Sequence, residues 1–228
     1  MPPAKGYAQT PTANQEAYWS FNGDTQDHSG NSRHASLQDG AWYTIDKDGD
    51  TDAACNFDGW DDYVSTPLNV GGYTAITVSA WVKADELMPT QKIVSQESNN
   101  GIIERDMYLG ILQANGENRV YFYVRNGDNY LFGYTGHVVE IGNWYHLIGT
   151  WDAATQQINI YVNGIEEIVS LNPNGTLTSI GNNSNSDIKL GYGYGNADLY
   201  PGTDKAEQFQ GVIDEVRIYS RALDAVEV

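Results

Sequence analysis

Strict alternation of apolar and polar residues over short runs is the feature that most restricts this chain. Ile76, Val78, Ala80 and Val82 alternate with Thr77, Ser79, Trp81 and Lys83. Met107, Leu109 and Ile111 alternate with Tyr108 and Gly110; Val120, Phe122 and Val124 alternate with Arg119, Tyr121, Tyr123 and Arg125. Ile158, Ile160 and Val162 repeat the pattern and run into Asn163-Gly164. A period of two sends successive side chains to opposite faces of a strand. Asn-Gly supplies the positive φ angles that a two-residue hairpin turn needs. Such runs, separated by Gly- and Asn-rich turns, predict an all-β antiparallel sandwich or jelly roll. No long segment has a helical period, and a short helix is expected only at the end, where Asp224 and Glu227 have capping-box spacing.

The 228 residues suit one large all-β domain over 16–228, preceded by a Pro/Ala/Thr-rich linker over 1–15. The length supports a core of two packed sheets. A formal net charge of −18 argues against nucleic acid and anionic lipid, whose phosphates it would repel. The acidity suits a secreted protein holding divalent cations, or serves solubility alone. The single cysteine, Cys55, lies in an apolar strand and reads as an inert core residue. No run reaches membrane-spanning length, and the start lacks the basic and apolar parts of a signal peptide.

The closing stretch, residues 211–223 (GVIDEVRIYSRAL), poses the sharpest question. Read as an unbroken strand, it puts Val212, Asp214, Val216 and Ile218 on one face. A carboxylate on an apolar face needs a partner, because burying it alone is costly. The turn 22–31 (NGDTQDHSGN), after the short strand AYWSF, offers oxygen ligands. If the first and last strands are neighbours, Asp24, Asp27, Asn31 and Asp214 could surround one hard cation such as Ca2+. Residues 46–52 (DKDGDTD) place Asp46, Asp48 and Asp50 as the start of a second calcium loop, or as a plain solvated turn. Phe57 at the twelfth position excludes an EF-hand.

Several blocks share one order: the SGN of 29–31, CNFDGWDDYV at 55–64, ITVSAWVK at 76–83, WYHLIGTWD at 144–152, IYVNG at 160–164 and the closing stretch. Together they resemble the LamG-like jelly-roll domains of the concanavalin A-like lectin and glucanase superfamily. The resemblance implies a two-sheet antiparallel jelly roll. It also carries a calcium site onto Asp24, Asn31 and Asp214, with Asp27 as a further ligand. Fold alone does not give function.

Two ligand surfaces stand out. Tyr121 and Tyr123, flanked by Arg119 and Arg125, point away from the apolar face of their run, with Tyr108, Tyr130 and Tyr134 nearby. Aromatic rings with charged edges suit sugars, although an ordinary sheet face covered by a loop would read alike. The segment 191–209 (GYGYGNADLYPGTDKAEQF) places Tyr192, Tyr194, Asp198, Tyr200 and Asp204 on a pliable backbone, and the loop 97–106 is expected to face it with Glu104 and Asp106. A structural flap is the competing reading. Trp60, at the tip of DGWDD, is expected to be exposed and either stacks on a sugar or packs its loop.

Glucanases on this fold set Glu-x-Asp-x-x-Glu on one strand, so that two acids flank the bond. No such run occurs here, and no Ser/His/Asp or zinc-type His arrangement is legible. His146 sits in a block where relatives carry a framework histidine. The sequence therefore reads as a non-catalytic, calcium-dependent binding module for a glycan or short peptide. The resemblance places it as a monomeric unit of a larger bacterial surface adhesin, of the RTX type. The alternative is a carbohydrate-binding module of a secreted polysaccharide-degrading enzyme, and a structural spacer is a third reading.

Overall fold

The computed structural model describes residues 10–99, 103–114, 116–182, 184–194 and 207–228. Its strands in chain order are β1 (Gln15–Trp19), β2 (Ser36–Gln38), β3 (Trp42–Thr44), β4 (Ala54–Asp58), β5 (Tyr63–Ser65), β6 (Ala75–Ala84), β7 (Thr90–Asn99) and β8 (Ile103–Ala114). They continue as β9 (Glu117–Asn126), β10 (Asn129–Val138), β11 (Trp144–Asp152), β12 (Gln157–Val162), β13 (Ile165–Glu166), β14 (Val169–Asn174), β15 (Lys189–Leu190) and β16 (Gln210–Tyr219).

Two antiparallel sheets result. The first runs β13-β12-β11-β6-β16-β4-β3, with β1 also on β16; the second runs β14-β10-β9-β8-β7-β15-β5-β2. The apolar members of each alternating run form one core between them. Val78, Ala80 and Val82 of β6 meet Met107, Leu109 and Ile111 of β8 and Val120, Phe122 and Val124 of β9 in that cluster. Gly149 of β11 has no side chain because the Phe122 ring occupies the space: a Cβ there would lie 2.5 Å from it. The Asn163-Gly164 turn has φ of 53° and 77°, as its composition predicts.

The jelly-roll expectation holds, and the first and last strands are neighbours: Gln15 pairs with Tyr219 and Trp19 with Val216. The face assignment in the last strand does not hold. The β16–β6 register shifts between Asp214 and Arg217, and Glu215 has φ of 52°. This bulge inserts one extra residue. Ile213, Val216 and Ile218 therefore all face the core, while Val212 and Asp214 lie on the outer face, opposite Lys83 and Trp81 of β6. The bulge sits where the neighbour of β16 changes from β4 to β1.

At the end of the chain, Asp224 accepts from the Val226 and Glu227 amides, and the Glu227 carboxylate accepts from the Asp224 amide. The reciprocal cap forms as its spacing predicts, but it closes a turn rather than a helix. Within the expected linker, Ala13 and Asn14 are docked, their carbonyls accepting from Arg221 Nε and the Ser220 amide. Residues 1–9 of that stretch lie outside the described residues.

Candidate functional site: a tyrosine face bordered by a buried ion cluster

The two ligand surfaces read from the sequence are adjacent in the structure. Cross-strand pairing in the second sheet sets Tyr108 opposite Tyr123, Tyr121 opposite Tyr134, and Tyr123 opposite Phe132. These rings stand on the outer face, away from the core. Tyr108 and Tyr123 stack at 4.5 Å with planes 5° apart, and Tyr123 continues onto Tyr130 at 5.9 Å and 23°. Phe132 tilts against both Tyr121 and Tyr134.

The stack changes what the face can offer. The rings stand side by side, so most of their π-faces are covered by one another, and Lys92 Nζ lies 4.6 Å from the Tyr108 centroid. The row ends at Tyr130, whose ring contact among the described residues is the one to Tyr123. Tyr121, expected as a contact, is buried beneath the row; its hydroxyl has no hydrogen-bond partner among the described residues. Burial, then the neighbouring Tyr108, holds its pKa well above the phenol range.

At the β7 end lies a cluster that alternation does not reveal. Lys92 Nζ is 2.6 Å from carboxylate oxygens of both Glu97 and Glu207. Arg105 adds contacts of 3.5 Å to Glu97 and 3.8 Å to Glu207. A register shift between Lys92 and Val94 sets Lys92 opposite Gly110, on the outer face. Burial pushes the Glu97 carboxyl up despite the opposing charges of Lys92 and Arg105. A Cβ on Gly110 would lie 2.2 Å from the Gln91 carbonyl oxygen and 2.8 Å from the Tyr121 ring, so only glycine fits between this edge and Tyr121.

The same cluster holds both feet of the segment after β15. The Tyr194 amide donates to Glu97 at 2.7 Å, Arg105 donates to the Tyr194 carbonyl, and Ser95 Oγ donates to the Tyr192 carbonyl. Tyr192 and Tyr194 pack edge to face and, with Tyr63, surround Lys189 Nζ at 4.7 to 5.5 Å. Asp198, Tyr200 and Asp204 lie outside the described residues. Of the facing acids, Glu104 sits 3.6 Å from Arg125 at the rim. Asp106 is instead fully buried: it accepts from the Ser184 amide and hydroxyl and from Gln96, tying down the loop before β15. It serves the fold rather than a ligand.

The expected cation ligands are dispersed. Asp27 accepts four hydrogen bonds, from the amides of Tyr18, Ser29 and Arg33 and from the Ser29 hydroxyl. Burial raises its carboxyl, but these bonds win and hold it below the usual range. Asn31 donates to the Gln15 and Glu16 carbonyls, and Asp24 accepts from the Gln26 amide. Asp46 accepts from the Asp48 and Asp50 amides, closing an exposed turn in which Asp48 pairs with Lys47. Asp214 is 2 % exposed, and its one hydrogen bond among the described residues comes from the Glu215 amide at 2.7 Å. Burial and the Glu215 charge push its carboxyl up to about 7, with Lys47 opposing and Asp46 adding. Asp214 thus keeps acceptor capacity that would fit a hard cation, and Asp27 does not. Among the described residues, the group of three carboxylates lying within 4.8 Å of one another is Asp58, Asp61 and Asp62, none of which was expected as a ligand.

Residues 57–228 match the family model of the concanavalin A-like lectin/glucanases superfamily. The chain belongs to that superfamily. No curated protein matches the sequence. Among solved structures, domain 4 of an extracellular GH43 arabinanase from Geobacillus stearothermophilus, in complex with arabinotriose, superposes with a TM-score of 0.68 at 21 % identity, over 94 % of this chain and 96 % of that one. A putative carbohydrate-binding protein from Bacteroides ovatus gives 0.54 at 23 %, over 76 % of this chain and 45 % of that one. Trypanosoma rangeli sialidase gives 0.63 at 20 %, over 100 % of this chain and 34 % of that one. At these identities the likeness is one of fold, so this member of the superfamily is read from its own residues.

Proposed function

We propose that the chain is a non-catalytic, lectin-like module that binds glycan on the outer face of the second sheet. The observation that carries this reading is the row Tyr108, Tyr123 and Tyr130 with Phe132 and Tyr134, half-buried and edged by Arg125 paired to Glu104. Hydroxyl and guanidinium edges would take sugar hydroxyls, while the Tyr130 ring face and Phe132 would take the CH face of a sugar. The structural neighbours, an arabinanase domain in complex with arabinotriose, a putative carbohydrate-binding protein and a sialidase, support a glycan over a peptide. An extracellular setting follows by the same analogy.

The non-catalytic part rests on how the acids of this face are used. Glu97 and Glu207 are bound to Lys92, Glu104 to Arg125, and Asp106 to Ser184. Glycoside hydrolysis needs one carboxyl free as acid and another as base or nucleophile. Titration of the protein with arabino-oligosaccharides and sialylated oligosaccharides, with Tyr123→Ala and Tyr130→Ala as controls, tests the binding. Absence of saturable binding to both classes, or reducing sugar released from a polysaccharide panel, would overturn it.

Calcium belongs to this proposal at Asp214 rather than at the four-residue site read from the sequence. The support is the spare acceptor capacity of a buried carboxylate next to the Asp46 turn. A calcium ion there would stabilise the junction of β16 with β1 and β4. A calcium titration followed by melting temperature, in the wild type and in Asp214→Asn, tests it. The net charge of −18 favours a bacterial surface adhesin as its setting.

A further inference from the structure

The buried cluster beside the tyrosine row holds an amine that glycan binding does not use. Lys92 Nζ lies 2.6 Å from a carboxylate oxygen of Glu97 and 2.6 Å from one of Glu207. The Lys92 and Glu97 side chains are each 1 % exposed and that of Glu207 is 9 % exposed. In every other Lys or Arg ion pair of the described residues the cationic side chain is at least 16 % exposed. One acid suffices to neutralise Lys92. The second brings an acid–base group into contact with the same nitrogen.

Residues 92 and 207 are held together twice. The Lys92 amide donates to the Glu207 carbonyl at 2.9 Å, and their side chains meet at 2.6 Å. Gly193 closes over them: a Cβ there would lie 2.7 Å from both the Glu207 carbonyl oxygen and Lys92 Cδ. The Tyr108 ring, 4.6 Å from Nζ, covers another side. A carboxyl carbon lies one C–O bond of about 1.2 Å beyond its oxygen. The Glu207 carbon is therefore at most about 3.8 Å from Nζ, against about 3–3.5 Å in a near-attack arrangement. Groups positioned in this way react as if at effective concentrations on the order of 10⁵ M or more.

Glu97 is held differently. One oxygen accepts from the Tyr194 amide at 2.7 Å and the other faces Nζ. Burial pushes its carboxyl up, toward the form that carries a proton. It touches the amine, and it is fixed at both ends.

We propose that Lys92 and Glu207 condense after folding into an amide crosslink, with Glu97 as the acid–base group. A bond forms between Nζ and the Glu207 carboxyl carbon, and one C–O bond of that carboxyl breaks. Glu97 carries two protons, one after the other, from Nζ to the departing oxygen, which leaves as water. The nitrogen keeps its third hydrogen as the amide N–H. Nothing is oxidised or reduced, and no further reactant enters. Two buried charges give way to a neutral amide, which removes the cost of holding them away from water. Arg105, 3.5 Å from Glu97, stays as partner to the remaining carboxylate. Exclusion of water from the site slows hydrolysis of the new bond. The crosslink would join β7 covalently to the entry of β16.

The test is the intact mass of the whole chain, incubated folded at neutral pH and then denatured. The wild type should be one water lighter than its sequence, and digestion should yield a branched peptide joining Lys92 to Glu207. Lys92→Arg keeps the charge without the amine, so it should show its full sequence mass. Glu207→Gln should be one ammonia lighter than its own sequence, because the leaving group changes with the side chain. Glu97→Gln, whose side-chain oxygen can still accept from the Tyr194 amide, should form the bond at least tenfold more slowly. A wild type at full sequence mass would overturn the proposal, and that result needs no variant to fold. So would a water deficit that persists in Lys92→Arg, which marks cyclisation at an Asp-Gly pair such as Asp48-Gly49. A branch at Glu97 in place of Glu207, or a wild-type rate in Glu97→Gln, would overturn the roles given to the two acids.

Discussion

The Lys92 ammonium meets the Glu97 carboxylate at 2.6 Å with each side chain 1 % exposed, and the same nitrogen is 2.6 Å from Glu207. One buried cation between two acids ties β7 to both feet of the segment that follows β15. Removing it would leave two buried carboxylates with only the longer Arg105 contacts of 3.5 and 3.8 Å. Lys92→Met should therefore cost about 3–5 kcal/mol in urea unfolding, and Lys92→Met with Glu97→Gln should recover part of that loss. A single-variant loss below about 1 kcal/mol, the level of a surface pair, would show that the cluster is not the anchor described.

Asp214 should make stability depend on pH in a defined window. Its folded pKa of about 7 lies above the ordinary aspartate value of 3.8. The folded state then binds more protons than the unfolded state between those values, so stability falls as pH rises through them. The contribution is fully present below about pH 4 and lost above about pH 7. In chelator, the melting temperature of wild type minus that of Asp214→Asn should fall by several degrees from pH 4 to 7. Calcium should reverse that fall if the ion binds there. A flat difference curve would contradict the burial of this charge.

Gly110→Ala should destabilise the second sheet without touching a charge. The added methyl group would lie 2.2 Å from the Gln91 carbonyl oxygen and 2.8 Å from the Tyr121 ring. Overpacking of this kind costs about 1–3 kcal/mol. Differential scanning calorimetry should show the loss, and the neighbouring Leu112→Ala, on a half-buried position, should lose less.

Glycan affinity should follow exposure along the tyrosine row. Tyr130 ends the row, with Tyr123 as its ring neighbour among the described residues, whereas Tyr108 packs against both Tyr123 and the Lys92 ammonium. Tyr130→Ala should weaken binding about fivefold or more, in line with roughly 0.5–1.5 kcal/mol for an aromatic contact. Tyr108→Phe, which keeps the ring and the stack, should change affinity less. Isothermal titration with the best oligosaccharide of the panel separates the two.

Much of the architecture was legible in the sequence because alternation survives wherever a strand pairs without interruption. The runs around Val78, Leu109, Phe122 and Ile160 all point their apolar members into the core, as their period demands. The failures cluster at bulges. Nothing in IDEVR marks Glu215 for positive φ, since no glycine stands there, yet the bulge reverses the face of Asp214. A second shift, after Lys92, places that lysine under Tyr108. Its acid Glu207 is too distant along the chain for local spacing to reveal. The sequence located the tyrosines but could not show that they stack on one another; that depends on the register between β8, β9 and β10. Asp27 looked like a metal ligand because loop amides are invisible in a sequence, and four donors take its oxygens.

The pairing of β1 with β16 has a mechanical side. Gln15, at the start of one strand, lies opposite Tyr219, at the end of the other. Tension drawn through both ends would load that ladder crosswise, breaking its bonds one after another like a zip. A chain pulled in this way would give at low force in its outermost strand while Val78, Phe122 and their neighbours stayed folded.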